Sequence, residues 1–135
     1  MKKRGYASGR WNGFGGKLNP GETVEQGMIR ELYEESNLVS KEHEKIGILT
    51  FQSEEENYVS EVHIFRIHKY EGDPIETEEM RPQWFDFDAI PYTEMWPDDI
   101  IWLPLVLKGN KVQGNIYFKD SDTIKSHDIK PVLEF

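Results

Sequence analysis

Three glutamates, Glu31, Glu34 and Glu35, stand at i, i+3 and i+4, so a helix through them projects three carboxylates from one face. Like charges at that spacing repel, and a divalent cation offsets them. Hard oxygen ligands suit magnesium, which takes a few carboxylates and keeps waters or substrate phosphates in its remaining positions. The chemistry open to such a face is metal-assisted work on phosphates. An amphipathic helix whose acidic face is only solvated has the same spacing, so spacing alone leaves both readings standing.

The flanking residues build the helix. Thr23-Val-Glu-Gln26 is a capping box, in which the Thr23 hydroxyl accepts from the third helical amide while Gln26 reaches back, so the helix starts near Val24. Val24, Met28 and Leu32 recur at i+4 and form the expected buried stripe. Gly27 costs roughly 1 kcal/mol relative to Ala at a mid-helix position, which predicts close contact with a neighbouring backbone. Asn37 is the expected left-handed stop just past the helix end. Upstream, six of the eleven glycines lie between Gly5 and Gly21. This entry is no P-loop, because Gly16-Lys17 is followed by Leu18 instead of Ser or Thr, and no Gly-x-Gly-x-x-Gly register fits at Gly13 and Gly15. A strand, loop and helix is the better reading, with a backbone carbonyl at Gly15 or Gly16 able to reach a metal at the helix face.

Beyond the helix, Ile46 to Gln52 and Tyr58 to Tyr70 read as strands rich in β-branched and aromatic residues, joined by the solvated acidic turn Glu54 to Asn57. Gln83 to Phe87 and Val112 to Lys119 read as further strands, the latter with Val112, Gly114, Ile116 and Phe118 on one side. Asp98 to Lys108 reads as a second helix, capped by aspartate, interrupted by Pro104 and closed by Gly109. The expected class is α+β, a mixed β-sheet with helices on its faces as an α/β/α sandwich. No segment resembles a linker or an internal repeat.

With 135 residues and 37% hydrophobic content, the chain can bury one core, and a single domain over residues 1–135 is expected. It has no cysteine, which excludes disulfides, thiolate nucleophiles and cysteine-based zinc sites and fits a reducing compartment. No apolar run approaches a membrane span, and no signal-peptide core opens the chain. The expectation is a soluble cytoplasmic protein with no membrane partner, with mitochondrial or nuclear fractions allowed, and a monomer. A net charge of −9 argues against a nucleic-acid polymer as partner, since such surfaces are basic, but leaves a metal-bridged nucleotide open. The spacings of His43, His63, His68 and His127 match no metal site, and structural or exposed roles are expected for all four. Asp86, Asp88 and the Glu76 to Glu78 run are expected to be solvated.

From Gly16 the chain reads Gly-x5-Glu-x7-Arg-Glu-Leu-x-Glu-Glu-x-Asn-Leu, with Glu22, Arg30, Glu31, Glu34 and Glu35 at the charged positions. This closely resembles the Nudix box, the signature of hydrolases that cleave nucleoside diphosphates linked to another moiety. A chance match of its Gly, Arg and four Glu positions is on the order of 10⁻⁷ per window. The one departure is Asn37, where the family pattern has Gly, and the change is conservative at a left-handed helix end. Outside the box, Arg10-Trp-Asn-Gly-Phe-Gly-Gly-Lys17, Glu79-Met-Arg-Pro-Gln-Trp-Phe85 and Met95-Trp-Pro-Asp-Asp99 together resemble the animal oxidized purine nucleoside triphosphate hydrolases, over nearly the whole chain.

That resemblance implies magnesium-dependent hydrolysis of oxidized purine nucleoside triphosphates to the monophosphate and pyrophosphate, with manganese as a possible substitute ion. Implied substrates are 8-oxo-dGTP, 2-hydroxy-dATP and their ribonucleotide forms, with O6-methyl-dGTP and N6-methyl-dATP as further candidates. It carries over catalytic roles to Glu31, Glu34, Glu35 and Arg30, the last orienting the glutamates. It also carries over metal ligation to Glu31, Glu34 and Glu35, completed by Gly15 or Gly16 carbonyls and Glu79. Water would attack a phosphoryl group, the β-phosphorus by expectation; which glutamate is the base stays open. Asn12, Trp96, Asp98 and Asp99 match base-recognition residues, and Lys2 matches a residue near the substrate site. Tyr6, Phe51, Met80, Trp102 and Phe118 are candidate pocket walls. Trp96 would stack on the purine. Two adjacent carboxylates in a dry pocket do not both ionise easily, so one of Asp98 and Asp99 is expected to stay protonated and donate. Against this, Asp98 is equally a helix N-cap, and Trp96, Trp102 and Phe118 are equally core residues.

Relatives of this kind carry a strand and turn upstream of the position matching Met1, so the chain is expected to be amino-terminally short, and less stable than a full-length relative. Two alternatives remain at this level: a Nudix hydrolase of another nucleoside diphosphate derivative, such as ADP-ribose or a dinucleoside polyphosphate, and an inactive metal-binding fragment.

Overall fold

The computed structural model describes residues 1–4, 9–57 and 59–135. The elements are α1 (Val24–Ser36), β1 (Val39–Ser53), β2 (Val59–Glu71), a 3₁₀ turn (Tyr92–Glu94), α2 (Asp99–Leu107), β3 (Lys111–Asp120) and β4 (Thr123–Val132). The strands order as β2-β1-β3-β4. β1 runs parallel to β3, with Gly47 opposite Val112 and Ser53 opposite Phe118, whereas β3 and β4 are antiparallel. The sheet is therefore mixed and the class α+β. The chain forms two compact units, Met1–Glu44 with Ile67–Glu94, and Lys45–Arg66 with Met95–Phe135.

In the first unit, α1 starts as its sequence dictates. The Gln26 amide donates to the Thr23 hydroxyl at 3.1 Å, and the Thr23 amide donates to Gln26 Oε1 at 2.9 Å. The helix stops at Asn37, which takes φ 70° and ψ 10° and donates its amide to the Tyr33 carbonyl at 2.9 Å. Burial on the helix departs from the simple stripe. Gly27, Leu32, Glu35 and Ser36 are the buried positions, while Val24 and Met28 are only partly covered. A Cβ on Gly27 would lie 2.3 Å from Leu18 Cδ2, so the close neighbour is a side chain folded over the helix, not the backbone expected.

The segment after β2 is tied to the end of α1. The Ile75 amide donates to the Ser36 carbonyl at 3.0 Å, and the Thr77 hydroxyl donates to the Glu35 carbonyl at 3.3 Å. Gly72, at φ 94°, leaves no room for a Cβ, which would meet the Asn37 carbonyl oxygen at 2.8 Å. The first residues are also held: Lys2 and Met80 form an antiparallel bridge, with Lys3 donating to the Glu79 carbonyl at 2.8 Å and Arg81 to the Met1 carbonyl at 2.8 Å. The expected strand at Gln83 to Phe87 is absent. Those residues are irregular, and Trp84 and Phe87 are 71% and 63% exposed, so their aromatic rings do not lie on a half-buried sheet face. Trp84 instead leans on Tyr70, ring centres 6.1 Å apart.

In the second unit, Leu49, Val106, Val112, Ile116 and Phe118 form the buried core. Val112, Ile116 and Phe118 share the inward side of β3, as their alternation predicts. β4, unforeseen from sequence, packs so closely on β3 that a Cβ on Gly114 would lie 2.0 Å from the Asp128 carbonyl oxygen. The acidic turn after β1 is closed by Glu54, whose amide donates to the Phe118 carbonyl at 3.0 Å and whose carboxylate pairs with Lys125. α2 contains Pro104 and ends before Gly109, at φ 99°. Asp98 occupies its N-cap position, yet its side chain makes no capping hydrogen bond, against the expectation of an aspartate cap.

Candidate functional site

Within the first unit, α1 and the glycine-rich loop bring the acidic residues together. Glu35 is only 5% exposed, and its Oε1 accepts from the Gly15 amide at 3.2 Å. Burial, a hydrogen bond with the Glu31 side chain and the nearby charges of Glu31 and Glu79 push the Glu35 carboxyl up to about 7, although the Gly15 amide pulls the other way. Gly16 lies directly against Glu31, where a Cβ would stand 2.7 Å from the carboxyl carbon. The loop therefore approaches the carboxylates as closely as only glycine permits.

Arg30 organises the other side of this cluster. Its Nη1 donates to Glu31 Oε1 at 2.8 Å and to Glu34 Oε2 at 3.1 Å, the second being the expected i, i+4 contact. Its Nε and Nη2 grip both oxygens of Glu22, at 2.7 and 3.0 Å, and Nη2 also donates to the Lys17 carbonyl at 3.1 Å. These partners, Glu22 first, hold the guanidinium well above its ordinary range. Arg30 in turn holds the Glu22 carboxyl below its own ordinary range, helped by the Asn19 backbone. Glu22 is the box position that residue-level reasoning left without a role, and the structure pairs it with Arg30. Its signal was its place in the box, but a partner eight residues on obeys no helical spacing rule.

Among the described residues, no three carboxylates or imidazoles are preassembled as a metal cage. The residues nonetheless fit magnesium, which needs only one or two carboxylates when substrate phosphates supply other ligands. The support is the buried Glu35 beside two like-charged neighbours and the Gly16 cradle around Glu31. Three of the four histidines engage elsewhere: His43 with Ser40, His63 with Glu61, His68 with Glu44. Glu76 and Glu78 pair with Lys3 and Arg4, so they are ion-paired as well as solvated. Of the other candidates in this unit, Met80 is 2% exposed and bridges Lys2, whose amide also donates to the Arg10 carbonyl at 3.1 Å. Asn12 is exposed, and its Oδ1 accepts from the Gly13 amide at 3.0 Å. Tyr6 lies outside the described residues.

The second unit gathers Phe51, Trp96, Asp98, Asp99, Trp102 and Phe118. Phe118 stacks on Phe51 with ring centres 6.3 Å apart and meets Trp96 edge-on at 5.9 Å. Phe118 belongs to the core, and Phe51, Trp96 and Trp102 pack against it while keeping part of their surface exposed. Asp98 and Asp99 are 3% and 6% exposed. Trp102 donates its indole hydrogen to Asp98 Oδ2 at 2.8 Å, and the Asp99 amide donates to the Trp96 carbonyl at 3.1 Å. Burying adjacent carboxylates on an apolar face is costly unless they are hydrogen-bonded, and the Trp102 indole offsets part of that cost for Asp98.

The NUDIX domain model matches residues 1–106. The chain is 50% identical over 132 residues to a zebrafish (Danio rerio) protein named oxidized purine nucleoside triphosphate hydrolase, covering 98% of this chain and 85% of that one. It is 48% identical over 135 residues to the mouse (Mus musculus) protein of the same name, covering 100% of this chain and 86% of that one. The crystal structure of the MutT protein from Bacillus halodurans shares the fold, with a TM-score of 0.78 at 23% identity, over 90% of this chain and 83% of that one. On the matched domain, and on identity sustained along almost the full length, the chain belongs to the NUDIX family.

Proposed function

We propose that this chain hydrolyses oxidized purine nucleoside triphosphates, 8-oxo-dGTP and 2-hydroxy-dATP among them, to the nucleoside monophosphate and pyrophosphate. The observation that carries the reading is the buried Asp98–Asp99 pair beside the Trp96, Phe51 and Phe118 rings. It supplies hydrogen-bonding groups for a base edge next to π-faces for stacking. The names of the zebrafish and mouse relatives support the same substrate class. Residues 1–135 then act as one catalytic domain, taken as a cytoplasmic monomer. Among the described residues no helix is long and apolar enough to cross a membrane.

Glu31, Glu34 and Glu35 would hold magnesium, with Glu79 and a Gly15 or Gly16 carbonyl as further ligands; manganese is the substitute. When bound, the ion supplies charge neutralisation on the phosphate oxygens. Arg30 holds Glu31 and Glu34, and Glu22 holds Arg30, so the two carboxylates would be kept in place to hold the ion. A water oxygen bonds to the β-phosphorus, its proton passes to a carboxylate of the cluster, and the α–β bridging P–O bond breaks. The bridging oxygen leaves with the monophosphate, and the water oxygen ends in pyrophosphate. In the second unit, Trp96 stacks on the purine while Asp98 and Asp99 read its edge, one as donor and one as acceptor.

The test is release of pyrophosphate from 8-oxo-dGTP and dGTP, and of AMP from ADP-ribose, each with magnesium. Preference for 8-oxo-dGTP, abolished by Glu35→Gln, is expected. Preference for ADP-ribose would replace this substrate class with another nucleoside diphosphate derivative.

A further inference from the structure

Asp98 stands at the N-cap position of α2 with a helical backbone, φ −78° and ψ −24°, its own carbonyl accepting from the Ile101 amide at 2.9 Å, while its carboxylate accepts from the indole of Trp102, four residues on. A capping aspartate has an extended backbone; with its helical one Asp98 makes no capping bond, and its side chain serves the indole instead. The indole N–H is a donor only. At 2.8 Å it marks Oδ2 of Asp98 as an acceptor and favours the charged form of that carboxylate over the neutral one.

We infer that Trp102 is a positioning residue that sets which of the two buried aspartates is the hydrogen-bond acceptor, and so which purine edge is preferred. The inference rests on the proposed reading of Asp98 and Asp99 as the base-edge pair. With its Oδ2 accepting from the indole hydrogen, Asp98 is the carboxylate of the pair, and a single proton shared by the two resides on Asp99. A guanine-type edge presents a carbonyl acceptor where an adenine-type edge presents an amino donor, so the two need opposite placements of that proton. Trp102 thus acts on selectivity through Asp98, apart from any contact of its ring with the ligand.

The test replaces the donor and keeps the shape. Trp102→Phe removes the N–H, and site-specific 3-benzothienylalanine at position 102 replaces it with sulfur in a nearly isosteric ring, which covers the case in which phenylalanine fails to fold. The readout is the ratio of kcat/KM for 8-oxo-dGTP over 2-hydroxy-dATP. A shift of that ratio on the order of tenfold is expected, matching one net hydrogen bond to a charged group. Equal losses on both substrates, with the ratio unchanged, would overturn the inference. If the native chain hydrolyses neither purine, the functional reading fails instead. The hydrogen bond is then decided by the Trp102 indole N–H resonance in the nucleotide-free protein, expected downfield and moved upfield by Asp98→Asn. A resonance unmoved by that substitution would contradict it.

Discussion

Glu22 and Arg30 meet through two parallel hydrogen bonds, Nε to Oε2 at 2.7 Å and Nη2 to Oε1 at 3.0 Å, while the remaining guanidinium nitrogen reaches Glu31 and Glu34. The fork is what a planar guanidinium can do and an ammonium cannot. Arg30→Lys keeps the charge but loses the geometry, and Glu22→Gln leaves Arg30 free to swing. Each is expected to weaken magnesium dependence or turnover by about 10- to 100-fold, the usual cost of losing a group that orients ligands. A magnesium titration of hydrolysis checks this; a lower thermal midpoint with unchanged titration would reduce the pair to a structural role.

The Glu35 carboxyl, at about 7 in the folded chain against an ordinary 4.5, makes the metal-free protein bind an extra proton between those values. A raised carboxyl means that stability is greatest below about 4.5 and declines as pH climbs to about 7. The thermal midpoint without metal should therefore fall across that interval, and Glu35→Gln should flatten the fall. Magnesium should recover more stability at pH 8 than at pH 5, because metal and proton compete for the same oxygens. A flat metal-free profile would count against the buried carboxyl.

Gly16→Ala tests the cradle around Glu31. The new methyl would meet the end of a flexible side chain, 2.7 Å away, so Glu31 can move and the fold should tolerate the change with a small shift in midpoint. Magnesium affinity should drop on the order of tenfold, because the displaced oxygens are among those proposed to hold the ion. Isothermal titration with magnesium is the check, and unchanged affinity would remove Gly16 from the site.

Gly114→Ala is the contrasting case. Here the methyl would meet backbone, 2.0 Å from the Asp128 carbonyl oxygen, and β3 and β4 would have to part. A loss of about 1–3 kcal/mol or more is expected, read from the urea midpoint, with little effect if the two strands can separate without disturbing the core.

α1 was legible because every local rule agreed: capping box, acidic face, and a left-handed Asn37. The parts that were not legible depend on partners far away in sequence. β4 carries Lys125, Ser126, His127 and Asp128 on a largely exposed strand, so alternation gives no signal until β3 is beside it. Gln83 to Phe87 has strand-like composition, but composition cannot tell an exposed Trp84 from a buried one. Lys2 is bridged to Met80, a contact spanning most of one unit's chain that no local rule predicts. The aromatic and aspartate residues Phe51, Trp96, Asp98, Asp99, Trp102 and Phe118 were legible as a set only through family resemblance. The bond from the Trp102 indole to Asp98, in place of a cap, was visible only in three dimensions.

The most direct test of the central claim is to follow 8-oxo-dGTP and magnesium by ³¹P NMR in ¹⁸O-labelled water. The account predicts pyrophosphate and the monophosphate as the products, the label in pyrophosphate, and loss of turnover in Glu35→Gln. Orthophosphate as the released product, or equal turnover of 8-oxo-dGTP and dGTP by the native chain, would contradict it.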